Sequence, residues 1–272
     1  MSETTFAAAS RPIDCPRHSP CIDMSYIDAG AGEPLVLIHG LGGHAAAWEQ
    51  QIVALSSSCR VIAPDLRGHG NSGYRAEETV TIRAFTDDLV ALLKRLDVGP
   101  AHVCGNSMGG MIALEFWVRY PSRLKSLILA DTTAFFPPPL ILEDFLRLFD
   151  RMDMTAWAGF MTPRLLRAGA PASLQEEVVQ AMVATQRDAY RQGLVATFSA
   201  DYRWMLPLVD VPALIMVGEE DQATPAGYAR LLEQGIRDSV LRVVPGSAHL
   251  SQRENPEEFN RRLGAHLERA SG

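Results

Sequence analysis

The segment Val103-Cys104-Gly105-Asn106-Ser107-Met108-Gly109-Gly110-Met111 constrains this chain more than any other. An apolar run ends there in small residues and a helix-forming stretch starts at once, so a strand must reverse into a helix within a few positions. Gly105 and Gly109 frame Ser107 in the spacing G-x-S-x-G, and side chains at the framing positions would collide with the neighbouring strand and helix. Ser107 is then held up at the carboxyl end of a strand. The spacing alone also fits an ordinary glycine-rich turn, so the rest of the chain must decide between nucleophile and turn.

Apolar runs and helical periodicities alternate around this segment. Residues 21–29 show an imperfect period of two, as in an edge strand, and Gly30-Ala31-Gly32 turns it. Residues 35–39 read as a strand, and the continuous apolar run Leu35-Val36-Leu37-Ile38 is the mark of a parallel strand covered on both faces. Residues 45–55 and 81–96 read as helices, the second with a stripe of Ile82, Phe85, Leu89, Leu92, Leu93 and Leu96. Strands are predicted over 60–63, 102–104, 124–130, 213–217 and 240–244, and helices over 108–120, 226–233 and from Pro256 onward. From 135 to 205 no strand-like run occurs. Helical stretches at 140–152, 154–167, 174–184 and 188–198 instead suggest an inserted helical cap. The expected fold class is α/β, with a mostly parallel doubly wound sheet built from 21–134 and 206–272, the cap over 135–205, and a flexible N-terminal arm over 1–20.

Several function classes are disfavoured by composition. The net charge of −7 and scattered Lys and Arg leave no electrostatic footprint for nucleic acid. The N-terminus lacks the basic start and apolar stretch of a secretory signal, and no segment approaches a membrane span, so a soluble cytoplasmic protein without a membrane partner is expected. Homodimerisation stays open. Of the four cysteines, Cys59 and Cys104 lie in apolar runs and read as core thiols, while Cys15 and Cys21 are expected to be reduced rather than paired. His39, His44 and His69 have no zinc-ligand spacing, so neither a metal nor any other cofactor is expected. The glycine loop His39-Gly40-Leu41-Gly42-Gly43 matches no nucleotide-binding pattern, and close backbone approach to a developing oxyanion explains it better.

In such a sheet His39, Asp65, Ser107, Asp131, Asp221 and His249 each follow a strand and share its carboxyl edge. A serine hydroxyl needs a base within hydrogen-bond reach and a third group to orient that base. Ser107, Asp221 and His249 fit those roles in the chain order Ser, Asp, His. His249 is the best base because it lies in a small-residue turn after the last strand, whereas His18 lies in the arm and His266, in the terminal helix, reads as solvated. Asp65 and His69 look catalytic but suit a structural turn better.

From about residue 21 to the C-terminal helix the chain resembles an α/β-hydrolase fold enzyme. The resemblance rests on His39-Gly40-Leu41-Gly42, Asp65-Leu66-Arg67-Gly68-His69-Gly70-Asn71-Ser72, Gly105-Asn106-Ser107-Met108-Gly109-Gly110, Gly218-Glu219-Glu220-Asp221 and Gly246-Ser247-Ala248-His249. It implies a Ser107–His249–Asp221 triad, with Asp131 as a rival acid, and an oxyanion hole from the backbone N–H groups of Met108 and Leu41. Trp48-Glu-Gln-Gln-Ile and the residues after His249 resemble 3-oxoadipate enol-lactonases and related esterases, so a small ester or lactone is the expected substrate. The elbow also resembles that of hydrolases cutting carbon–carbon bonds in vinylogous diketones, but the Gly-Pro-Gly element is missing and Leu250-Ser251 follows His249 in place of a tryptophan. Cofactor-free perhydrolysis (haloperoxidase activity) and non-catalytic ligand reception are further alternatives. His44, Phe135, Trp157 and Trp204 are the expected substrate-binding residues, and Arg147, Arg164, Arg187 and Arg203 are candidates for a substrate carboxylate.

Overall fold

A computed structural model describes residues 9–10, 23–75, 77, 79–137 and 140–271. The strands are β1 (Ala9–Ser10), β2 (Ser25–Ala29), β3 (Glu33–Ile38), β4 (Cys59–Pro64), β5 (Ala101–Asn106), β6 (Leu124–Ala130), β7 (Ala213–Gly218) and β8 (Ser239–Val244). They form one sheet in the order β1-β2-β4-β3-β5-β6-β7-β8. β3 to β8 run parallel, while β1 and β2 close one edge antiparallel. Parallel neighbours require crossovers, and helices supply them on both faces.

The unbroken apolar runs have a direct structural meaning. Leu35 and Leu37 of β3 pack with Trp48, Ile52, Phe259 and Leu263, on the face covered by α1 (Glu49–Leu55) and α10 (Pro256–Ser271). Val36 and Ile38 point the other way, into a core with Phe85, Leu89, Ile112 and Phe116. That face is covered by α2 (Ile82–Arg95), α3 (Met108–Arg119) and α8 (Ala226–Gly235). Phe259 is fully buried, and truncating such a side chain costs about 3–5 kcal/mol. The stripe predicted over 81–96 becomes α2, with Thr81 accepting a hydrogen bond from the Ala84 N–H at its start and Lys94 and Arg95 in its last turn.

Among the described residues four α-helices separate β6 from β7, α4 (Leu140–Asp150), α5 (Met154–Leu165), α6 (Ala172–Ala184) and α7 (Arg187–Ser199), followed by a short 3-10 helix over Arg203–Leu208. The four α-helices share a core of their own around Phe149, Trp157, Met182, Tyr190 and Leu194, in which Phe149 and Tyr190 stack at 5.5 Å. The segment leaves and rejoins the sheet at one place. Phe135 and Asp201 form an antiparallel bridge, and the Tyr202 N–H donates to the Ala134 carbonyl at 2.8 Å. After β8 come the short α9 (Ser251–Glu254) and then α10.

Cys59 and Cys104 are free thiols in the core, and burial pushes the Cys104 thiol up. Cys15, Cys21 and all of the expected arm except Ala9–Ser10 lie outside the described residues. His266 differs from expectation: it is 5% exposed, and burial pushes it down to about 4. It lies on the sheet-facing side of α10, so its place in a terminal helix does not make it solvated. Among the described residues, no helix is long and apolar enough to cross a membrane.

Candidate active site

The reversal after β5 is built as its glycines require. A Cβ on Gly105 would lie 2.1 Å from the Gly109 carbonyl oxygen, and one on Gly109 would lie 2.3 Å from that of Ile38. Between them Ser107 adopts φ +54° and ψ −122°, a conformation costing a side-chain-bearing residue about 1–3 kcal/mol. Its backbone is held by hydrogen bonds to the neighbouring strand end and the new helix, the Gly110 N–H donating to the Ser107 carbonyl at 2.9 Å. The Ser107 N–H donates to the Ala130 carbonyl at 3.0 Å, and Thr132 Oγ1 donates to the Ser107 carbonyl at 2.6 Å.

The turns after β7 and β8 bring Asp221 and His249 to this serine. His249 Nε2 lies 2.8 Å from Ser107 Oγ, and His249 Nδ1 lies 3.0 Å and 3.1 Å from the two Asp221 carboxylate oxygens. Asp221 Oδ1 also accepts from the N–H groups of Ala223 and Thr224, and Oδ2 from Thr224 Oγ1 at 2.7 Å. Burial opposes the charge on Asp221, but His249 and these donors outweigh it and hold the carboxyl below the usual carboxylate range. An ionised Asp221 only accepts, so the network assigns the proton to His249 Nδ1 and leaves Nε2 to accept from the Ser107 hydroxyl. Burial also disfavours charge on His249, yet Asp221, and after it Asp131, raise the imidazole above the ordinary histidine value. Such a serine can be deprotonated as it attacks.

Asp131 does not touch the imidazole. Its Oδ1 accepts from the Gly218 N–H and its Oδ2 from Ser251, so Asp221 is the carboxylate that meets His249. Burial, and then repulsion from Asp221, push Asp131 up, while the donors from Ser251 and Gly218 work against that rise.

Ser107 and His249 open onto a cavity of about 460 Å³. Leu41 and Met108 line it, as do His39, Gly40 and Asn106. Met108 begins α3, where the first backbone N–H groups have no intrahelical acceptor. The loop carrying Leu41 packs against the elbow so closely that a Cβ on Gly40 would lie 3.0 Å from Ser107 Cβ. The opposite wall comes from the helices between β6 and β7, including Phe145, Met161, Met182, Tyr190 and Phe198.

Of the expected substrate-binding residues, the structure brings only His44 to this cavity. Trp157 is fully buried in the helices' own core against Phe149 and Phe145. Trp204 is 63% exposed to solvent, and Phe135 lies under the Arg203 guanidinium with its ring edge to Tyr228. These three therefore do not line it; their neighbour Phe136 does. Among the four arginines only Arg164 reaches the lining, while Arg147, Arg187 and Arg203 bond Asp144, the Phe149 carbonyl and Asp201. Asp65 is structural, as expected, accepting from the N–H groups of Ala45 and Asn71. His39 and His69 are buried, burial holds both down to about 3, and each bonds backbone. Thr224 went unread in the sequence; its signal is the turn Asp221-Gln222-Ala223-Thr224, in which an Asp side chain collects the N–H groups two and three residues on.

Comparison with known proteins gives a consistent result. The 3-oxoadipate enol-lactonase 1 of Acinetobacter baylyi is 28% identical over 232 residues, spanning 83% of this chain and 85% of its own. The 2-hydroxymuconate semialdehyde hydrolase of a Pseudomonas species is 28% identical over 282 residues, spanning 95% and 98%. A thermophilic esterase from Thermogutta terrifontis superposes with a TM-score of 0.90 at 28% identity, covering 97% of this chain and 99% of that one. The model of the alpha/beta hydrolase family matches residues 35–262, and the chain belongs to that family.

Proposed function

We propose that this protein is a serine hydrolase that cleaves a small carboxylic ester or lactone through an acyl-enzyme on Ser107. The observation that carries the reading is the continuous line from Ser107 Oγ through His249 to the Asp221 carboxylate, with the hydroxyl open to the cavity. The hydroxyl attacks the substrate carbonyl as its proton passes to His249 Nε2, and Asp221 stabilises the imidazolium that forms. Negative charge grows on the carbonyl oxygen, where the N–H groups of Met108 and Leu41 and the positive end of α3 receive it. The imidazolium then protonates the leaving alkoxide, and neutral His249 activates water to release the acid. In a lactone the alkoxide and the acid are two ends of one product.

The segment 135–205 acts as the cap of this site. Its share of the wall is largely apolar, which suits a small substrate with a hydrocarbon body. Enol-lactonase and esterase relatives favour the ester or lactone reading. The carbon–carbon hydrolase reading stands second because of the Pseudomonas relative, and the residues after His249 depart from that pattern.

The test is a panel of p-nitrophenyl esters, lactones and vinylogous diketones, assayed with wild type and Ser107→Ala. Short esters or lactones should turn over fastest, with activity lost in the variant. Faster cleavage of the diketones would install the carbon–carbon reading, and no turnover by wild type on any class would remove the hydrolase reading.

A further inference from the structure

The residue after β6 makes contacts that the proposed reaction does not use. Asp131 is fully buried, with φ +46°, a backbone conformation that Asp tolerates better than most because its short side chain bonds locally. Its bonds are not local. Oδ1 accepts from the Gly218 N–H at 2.7 Å, three residues before Asp221. Oδ2 accepts from the Ser251 hydroxyl at 2.5 Å and the Ser251 N–H at 3.2 Å, two residues after His249. Asn106, immediately before Ser107, directs its Nδ2 to the same oxygen at 3.5 Å and to the His249 carbonyl at 3.1 Å. The Asp131 N–H in turn donates to the Met216 carbonyl on β7. One side chain is thus bonded to the segments bearing Ser107, Asp221 and His249.

Burying a carboxylate is expensive, and a residue that only closed the turn after β6 would need no such group. A small neutral residue at this position would leave the Gly218 and Ser251 N–H groups, both in the interior, without an acceptor. The carboxyl therefore earns its place by what it joins. We propose that Asp131 is a positioning residue for Ser107, His249 and Asp221, acting through Gly218, Ser251 and Asn106; the inference rests on the hydrolase reading. Asp131 touches neither substrate nor imidazole. It fixes the spacing of three loops whose side chains must meet within hydrogen-bond distance, where a displacement of about 1 Å costs on the order of 100-fold in rate.

The experiment compares Asp131→Ala, Asp131→Asn and Ser251→Ala with wild type on the fastest ester of the panel, with folding checked by thermal melting. Asp131→Ala should lower kcat about 100-fold with KM held within about threefold, the pattern of lost alignment rather than lost binding. Asp131→Asn keeps an acceptor for Gly218 and a partner for the Ser251 hydroxyl, and should recover about tenfold of that loss. Ser251→Ala should fall about tenfold and keeps the test decisive if Asp131→Ala does not fold. An NMR readout is independent of turnover: the downfield Nδ1–H signal of His249 should be present in wild type, weakened or lost in Asp131→Ala, and restored in Asp131→Asn. Folded Asp131→Ala and Ser251→Ala with wild-type kcat and an unchanged His249 signal would overturn the proposal and leave the hydrolase reading intact. An inactive wild type would remove that reading, with the NMR comparison still testing the alignment.

Discussion

Two Ser–His–acid clusters sit at opposite ends of one sheet. At the carboxyl end, Ser107, His249 and Asp221 line up at 2.8 Å and 3.0 Å. At the amino end, Ser126 Oγ lies 2.8 Å from His102 Nδ1, and His102 Nε2 lies 3.0 Å from Glu33. Distances alone do not separate them. Surroundings do: Ser126 and His102 are sealed side by side on paired strands, whereas Ser107 stands in a positive-φ reversal, at a helix start, on a cavity. The electrostatics differ too. Burial drives His102 below the ordinary histidine value despite Glu33, while Asp221 lifts His249 above it. Glu33 is also shared with Lys125 and Ser271, so it ties β3, β6 and α10 together rather than orienting one imidazole. What sets the Ser107 cluster apart is a serine that opens onto a cavity and an acid that raises the imidazole it meets.

Replacing the serines gives the widest separation. Ser107→Ala should cost about 10⁶-fold in kcat, while Ser126→Ala should leave kcat/KM within about twofold and cost about 1 kcal/mol of stability. Ester kinetics and chemical denaturation measure the pair, and a large activity loss in Ser126→Ala would break the contrast. The acids come next. Asp221→Asn should lower kcat by about 10⁴-fold and move the acid limb of kcat/KM to lower pH, because the group that raises His249 is gone. Glu33→Gln should leave both the rate and the limb in place.

The histidines should separate by the sign of their pH dependence, read as melting temperature against pH. His249, raised in the fold, contributes stability that is full below its unfolded value and fades as pH rises through its folded value. His102, lowered in the fold, contributes stability that is full above its unfolded value and fades as pH falls through its folded value. His249→Gln should flatten the alkaline side and His102→Gln the acid side, each by a few degrees at most; roughly 2–4 °C corresponds to 1 kcal/mol in a chain of this size. Trp204→Ala should do least. With its side chain in solvent and away from the cavity, rate should stay within about twofold and stability within about 0.5 kcal/mol.

What the sequence made legible follows from how strongly each position is constrained. Residues 35–38 and 127–130 are apolar without interruption because both faces of a parallel strand are covered; the strand read over 124–130 is Leu124–Ala130 itself, and the one read over 35–39 is Glu33–Ile38. Ser107, Asp221 and His249 stand in small-residue turns after strands, and the sheet brings them together whatever their separation along the chain. The helices between β6 and β7 carry no such signal. Trp157 and Phe145 are both aromatic residues on these helices, yet one fills the helices' own core and the other faces the cavity. Helical periodicity identifies an apolar face but not the neighbour it meets. The burial of His266 and the bonds of Asp131, whose place at the carboxyl edge is legible, escape the sequence for a related reason, since their surroundings are assembled from elements distant in sequence.

The bridge between Phe135 and Asp201 has a consequence for how such a protein diversifies. Because the two ends of the helical segment are fastened to each other where they leave the sheet, the strands experience a closed loop whatever lies within it. Lengthening a closed loop costs little, about 0.6 kcal/mol for each doubling. Insertions, deletions and rewritten helices between those two residues are therefore nearly invisible to β6 and β7, whereas the loop of His249 still feels the segment through its N–H, which donates to the Leu165 carbonyl at 3.1 Å. On the proposed reading, the helices can be rewritten to change which substrate fits, provided that the stretch around Leu165 still meets the His249 backbone.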